Sequence, residues 1–340
     1  MKHANVAIFV PHAGCPQHCS FCSQNSITGK DRLPTPNEVR STLEIAKENL
    51  KEKSRFAEIA FFGGSFTAIN RGDMLALLEA AAPSVWDGVF SGIRISTRPD
   101  AIDDEVLALL KHYGVKMIEL GAQSMDDTVL QMNRRGHTAE QVCAASRMIH
   151  SAGFSLGLQM MTGLWGDTAA GALQTAQAFA ALKPDCVRIY PTIVMNGTEL
   201  AKRYRSGEYH PMNLEDTVEL CCELLELFHE HSIPVIRLGL HSSPEMQQNQ
   251  IAGPWHPAFR ELCESRLFLR RLLVFLEQKR ILPGCVEIHV SPQWVSKAVG
   301  QSRCNLQELA RLGYIAKIAP DASVLPSEFI VHSLLQSESR

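Results

Sequence analysis

The sequence has no apolar run near the length of about 20 residues that a membrane-spanning helix requires. Its early apolar stretch, 6–10, is broken by Pro11, so a secretory h-region is missing as well. A cytoplasmic location is expected. There is no excess of positive charge, since 33 Lys and Arg stand against 36 Asp and Glu, a net of −3. Up to Leu240 there are 22 basic and 27 acidic residues, and beyond it 11 and 9. Binding to phosphate backbones by counterion release draws on such an excess. Nucleic acid therefore stays open as a substrate but is not indicated by charge. Low-complexity segments and fixed-period repeats are missing too. With 45% hydrophobic and 20% charged residues, the chain can bury a core and is not a disordered one.

What the chain does have is alternation. Apolar, β-branched runs at 6–10, 58–62, 93–97, 117–121, 156–161 and 187–191 predict short buried strands. Helical patterns lie between them. Thr35-Pro36-Asn37-Glu38 and Thr138-Ala139-Glu140-Gln141 are capping boxes, and Asp103 and Asn213 are expected N-caps. Strands alternating with helices imply a parallel sheet. Six such units, with 235–238 as a candidate seventh strand, favour a partial (β/α)6 to (β/α)8 TIM-like barrel over a doubly wound open sheet. After His241 the pattern fails: a helix over 261–278 and a lone strand over 286–290 predict a smaller α+β extension. The expected division is 1–240 for the barrel and 241–340 for the extension.

Ten cysteines in a reducing compartment are thiols or metal ligands before they are disulfides. Three stand together in Cys15-Pro16-Gln17-His18-Cys19-Ser20-Phe21-Cys22, directly after the first strand. That is the end of a barrel strand where active sites lie. Four irons held by three cysteines leave one iron open, which suits a catalytic cluster. Zinc, with His12 or His18 as fourth ligand, is the other reading that the spacing permits.

The CxxxCxxC triplet, with an aromatic before the last Cys, resembles the radical S-adenosylmethionine (SAM) enzymes. Gly63-Gly64-Ser65-Phe66-Thr67-Ala68 after the second strand looks like that superfamily's glycine motif. Further runs are Ser96-Thr97-Arg98-Pro99-Asp100-Ala101-Ile102, Glu119-Leu120-Gly121-Ala122-Gln123-Ser124, Asn133-Arg134-Arg135-Gly136-His137-Thr138 and Arg188-Ile189-Tyr190-Pro191-Thr192. These resemble the radical half of the Elongator catalytic subunit and its bacterial relatives. The oxygen-independent coproporphyrinogen oxidases are a more distant match.

The resemblance implies an enzyme in which Cys15, Cys19 and Cys22 ligate a [4Fe–4S] cluster. One electron, from a donor such as ferredoxin or flavodoxin, then cleaves SAM to a 5′-deoxyadenosyl radical that abstracts hydrogen from a substrate. It also implies Gly63, Gly64 and Ser65 at the SAM amino group, with Gly64 free of the cysteine loop. Phe21 is expected beside the adenine, Gln123 at the ribose and Arg135 at the SAM carboxylate. Gly163, Leu164 and Thr192 are expected to clasp the adenine. Two departures stand out: Gln159, where an acid or His is frequent, and Trp165, where Pro is. Nothing after Leu240 resembles an acetyltransferase, so the combined tRNA reaction of the Elongator subunit is not expected. His241, His256, Glu264 and Arg266 in the extension are candidates for substrate contact. The alternative is a zinc- or cluster-bearing binding module in which the triplet is structural.

Overall fold

The computed structural model describes residues 4–11, 19–22, 32–240 and 244–333. It divides into two compact units, 1–213 with 224–255, and 214–223 with 256–340. In the first unit the chain runs β1 (Ala4–Val10), α1 (Pro36–Leu50), β2 (Ala57–Gly63), α2 (Arg71–Trp86), β3 (Gly92–Thr97), α3 (Asp104–His112) and β4 (Val115–Gln123). There follow α4 (Asp127–Met132), α5 (Ala139–Ser151), β5 (Ser155–Thr162), α6 (Ala169–Leu182), β6 (Cys186–Pro191), β7 (Val194–Met195) and α7 (Glu199–Ser206). Helix α8 (Leu214–Glu230) is shared between the units, and β8 (Val235–Leu238), α9 (Pro244–Asn249) and β9 (Gln250–Ala252) complete the first.

All seven expected barrel strands form, in the order β1-β2-β3-β4-β5-β6-β8, every pair parallel. The sheet is a curled half-barrel with helices between its strands. Both capping boxes are present: Glu38 N–H donates to Thr35 Oγ1 and Thr35 N–H to Glu38, with the same exchange between Thr138 and Gln141. Asp103 caps α3 through Val106 N–H at 2.7 Å.

The two faces of the sheet differ in chemistry. One carries Ile59, Ile93, Ile95, Ile118, Leu120, Leu156, Leu158, Val187 and Ile189, all inaccessible to water; helices α2, α3, α5 and α6 contact these strands. On the other face, charges from four strands meet an amide from a fifth. Glu119 of β4 is 0% exposed. It accepts from Arg94 Nη1 of β3 at 2.8 Å, Arg188 Nη2 of β6 at 2.9 Å and Gln159 Nε2 of β5 at 2.9 Å. Arg94 also reaches Glu58 of β2 at 2.7 Å, and Arg188 lies over the Phe62 ring at 4.9 Å. A carboxylate taken out of water is tolerated only when donors meet it on all sides.

The second unit holds α10 (Phe259–Gln278), β10 (Cys285–Val290), α11 (Val295–Val299), α12 (Cys304–Arg311), β11 (Ile315–Pro320) and β12 (Phe329–Ser333). The expected lone strand is instead the centre of a three-stranded sheet, β11-β10-β12, parallel to one neighbour and antiparallel to the other. The flanking strands are part-exposed, and their apolar runs, Ile315-Ala316 and Phe329-Ile330-Val331, are short. Its core is Phe268, Leu272, Leu276, Val286, Ile288, Val290 and Leu309.

The boundary expected near Leu240 falls instead at Trp255. Segment 244–255 stays with the barrel because β9 pairs with β7 and Met246 and Trp255 pack on Ile193 and Met195. Among the described residues no helix is long and apolar enough to cross a membrane.

Replacing Glu119 by Ala strands two buried guanidinium groups. We expect a loss of about 3–5 kcal/mol in denaturant unfolding, with Glu119→Gln milder because it keeps one acceptor oxygen.

Candidate functional site

Cysteines 19 and 22 follow β1 and are half-buried; Cys15 lies outside the described residues. A tight turn joins the pair, Cys22 N–H donating to Cys19 O at 3.2 Å. Ser20 between them anchors the turn. Its N–H and hydroxyl donate to Asn133 O (3.1 Å) and Oδ1 (2.7 Å), and its carbonyl accepts from Leu200 N–H at 2.8 Å. Asn133, itself 0% exposed, donates from Nδ2 to Val129 O and Trp165 O. One amide thus ties the cysteine turn to the end of α4 and to the loop after β5. The sequence shows Asn133 only as the first residue of the run 133–138, without the partners that give it this task. Phe21 packs with Trp165, Val194, Leu200, Ala201 and Tyr209.

Gly63 has φ +114°, and a Cβ there would lie 2.6 Å from Val10 O. At Gly64 the Cβ would lie 2.8 Å from Pro11 O, and its N–H already donates to Val10 O. These glycines let the end of β2 press against the end of β1. The backbone that Gly64 crowds, Val10-Pro11, precedes the cysteine triplet in the sequence. Ser65 is buried and occupied: its Oγ pairs with Thr97 Oγ1 at 2.9 Å and accepts from Arg98 N–H at 2.9 Å.

Further along the sheet, polar atoms go unmet. Gln123 Oε1, Thr162 Oγ1 and Thr192 Oγ1 are buried without partners among the described residues. They stand at the carboxyl ends of the adjacent strands β4 and β5 and just beyond β6. Gln123 has φ +71° after a register shift in the β4–β5 ladder, a conformation that costs a non-glycine residue about 1–3 kcal/mol. Such strain and unmet hydrogen bonds concentrate where a ligand is received. Gly163 has φ +68°, and its carbonyl accepts from Tyr209 OH at 2.7 Å; Leu164 is buried beside it.

Arg135 is buried as well. Its Nη2 donates to Gly121 O at 2.5 Å and its Nη1 to Cys19 Sγ at 3.0 Å, while Nε has no partner. His137 holds Ala122 O at 3.1 Å through Nε2. Burial first, then the Arg135 charge, pushes its pKa down to about 4.

Comparison with known proteins fits this geometry. The model of the radical SAM superfamily matches residues 9–179, half of the chain, and that of the radical SAM C-terminal domain matches 184–268. The chain belongs to the radical SAM superfamily. An uncharacterized protein of Methanocaldococcus jannaschii is 28% identical over 259 residues, 73% of this chain and 74% of the relative. Human Elongator complex protein 3 is 33% identical over 139 residues, 40% of this chain but only 25% of that protein. Among solved structures, archaeal Elp3 of Methanocaldococcus infernus superposes with a TM-score of 0.59 at 20% identity, over 82% of this chain and 63% of that one. The last comparison supports the fold.

Of the substrate candidates, His241 lies outside the described residues, and the other three are engaged within the second unit. His256 accepts from Ala258 N–H on Nδ1 and meets Gln301 on Nε2. Glu264 pairs with Arg260 and Lys297, and Arg266 with Glu215 and Glu219. These pairs give each side chain a structural task.

Two outcomes follow for this radical SAM site. Gly64→Val is expected to lose iron loading together with SAM binding, read by iron content and by SAM-induced change in the visible spectrum. For His137 the folded pKa lies below the unfolded value of about 6.5, so the unfolded state takes up the proton first. Stability is complete above pH 6.5 and falls as pH drops toward 4, by about 3 kcal/mol in all. Denaturation of the cluster-free protein between pH 7 and 4.5 should show this slope, and His137→Gln should flatten it.

Proposed function

We propose that this chain is a radical SAM enzyme whose Cys15, Cys19 and Cys22 hold a [4Fe–4S] cluster beside a SAM site at the carboxyl ends of β4 to β6. The observation that carries this reading is the row of buried, unpartnered oxygens on Gln123, Thr162 and Thr192. A polar molecule with hydroxyl and amine donors fits such a row, and an apolar one does not. When bound, the cluster and SAM supply reductive cleavage to a carbon radical that takes hydrogen from a substrate.

The chain's own residues hold and shield. Asn133 fixes the cysteine turn to two neighbouring elements, so the thiols keep one geometry without a metal to impose it. The Gly63-Gly64 contact brings β2 against the start of the cysteine loop. Phe21, Trp165 and Tyr209 form an apolar wall behind the turn that excludes water from reactive sulfur and carbon centres. Acetyl transfer to tRNA, named for archaeal relatives of which this chain matches about a quarter, is not carried over.

The test is anaerobic purification followed by reduction with dithionite and addition of SAM. The expected protein is brown, binds four irons and releases 5′-deoxyadenosine; single Cys→Ala variants at 15, 19 and 22 stay folded but lose iron and release. A colourless zinc protein, or variants with wild-type iron, would overturn the reading in favour of a structural triplet.

A further inference from the structure

Arg135 stands out because its guanidinium is spread over two acceptors of different kinds, one of them the sulfur of Cys19. The Nη1–Sγ distance of 3.0 Å is short for a donor to sulfur, whose larger radius places it farther out than oxygen. The group has little freedom to be elsewhere. Nη2 is held by Gly121 O, and the side chain lies 6.0 Å from the Phe21 ring on the far side of the turn. Its backbone N–H donates to Leu130 O, and Arg134 before it takes φ +53°. A Cβ on Gly121 would meet Nη2 at 3.5 Å, an ordinary contact, and the Gln123 amide nitrogen at a tighter 3.1 Å.

We propose that Arg135 tunes the reduction potential of the cluster by donating a charged hydrogen bond to the Cys19 thiolate, an inference that rests on the cluster reading above. The physical reason lies in where the electron goes. One electron from an external donor enters the cluster, no proton moves, and negative charge on the cysteine sulfurs grows. A guanidinium stays protonated throughout. Its hydrogen bond to sulfur strengthens in the reduced state, which favours reduction. Gly121 O keeps the donor aimed whether or not the electron is present, so little reorganisation accompanies transfer. Nε, buried and unpartnered, is left for a further acceptor on the same group. Arg135 is thus a positioning residue for electron entry, with one edge already on a cluster ligand.

The test measures potential, which a merely structural arginine would not move. Wild type, Arg135→Lys and Arg135→Gln are loaded anaerobically, matched for iron and poised at one fixed potential with dithionite, without SAM. The reduced-to-oxidised ratio is then read by EPR. Arg135→Gln should lower that ratio about tenfold, equivalent to about 59 mV for one electron, and Arg135→Lys should recover part of it. Should a variant fail to load, the wild type labelled with 15N-arginine decides, since pulsed EPR of its reduced cluster should show a 15N coupling. A wild-type ratio in Arg135→Gln, or no such coupling in labelled wild type, overturns this inference alone. An iron-free wild type overturns the cluster reading and this one with it.

Discussion

Everything at the functional end of the half-barrel depends on a carboxylate that has been denied water. Glu119 is enclosed on the inner face of the sheet and survives there as an anion only because β3, β5 and β6 each send it a donor. Such a lattice adds little net stability over a well-packed apolar core, but it is intolerant of misalignment. A slip of one residue in β3, β5 or β6 would turn its partner to the opposite face. The register of four adjacent strands is therefore specified by charge as well as by shape. Because the ligand-facing residues sit a few positions downstream on those strands, their mutual placement is specified with it.

From that hub the site is assembled along a short stretch of chain. Two residues beyond Glu119, the carbonyl of Gly121 receives Arg135. Gln123 then ends the strand in a left-handed conformation with its amide oxygen unmet, and Ala122 O is held by His137. Asn133, between them in sequence, takes the cysteine turn by its serine. The stretch 119–137 thus leaves the sheet, makes nearly two turns of helix and comes back to the same strand end. Its outward half ends at Gln123, and its return half meets Ser20 and Cys19.

Much of this was legible in the sequence. Strand positions followed from β-branched runs bounded by turn residues, and both capping boxes closed as their spacing requires. The cysteine triplet, the glycine pair and Gln123 were visible as motifs. What was hidden is what depends on tertiary partners. Gly63 and Gly64 look like a cradle for a ligand, but the Cβ positions they leave vacant are filled by the backbone of Val10 and Pro11. Asn133 and Glu119 stand in runs that the sequence shows, but the partners that give them their tasks appear only when the facing elements are placed. Strands β11 and β12 are part-exposed, and their apolar runs, Ile315-Ala316 and Phe329-Ile330-Val331, are too short to read as strands. Strand β9 is three residues long and forms where β7 offers it an edge.

The second unit differs from the barrel in how its polar groups are met. His256 accepts from the backbone two residues on, Glu264 pairs with Arg260 on its own helix and with Lys297 of α11, and Arg266 pairs with Glu215 of α8. The barrel is different, since its unmet atoms are buried and cannot turn to water for compensation. Segment 244–255, which sequence patterning assigned to the extension, belongs with that barrel. Gly253 there has φ +107°, and a Cβ on it would fall 3.0 Å from both Thr192 O and the Ile193 Cα. The chain after β9 therefore runs against the backbone beside one of the unmet hydroxyls, with the Trp255 indole N–H buried and unpartnered close by in sequence. The buried side-chain polar atoms left without a partner among the described residues all belong to the first unit.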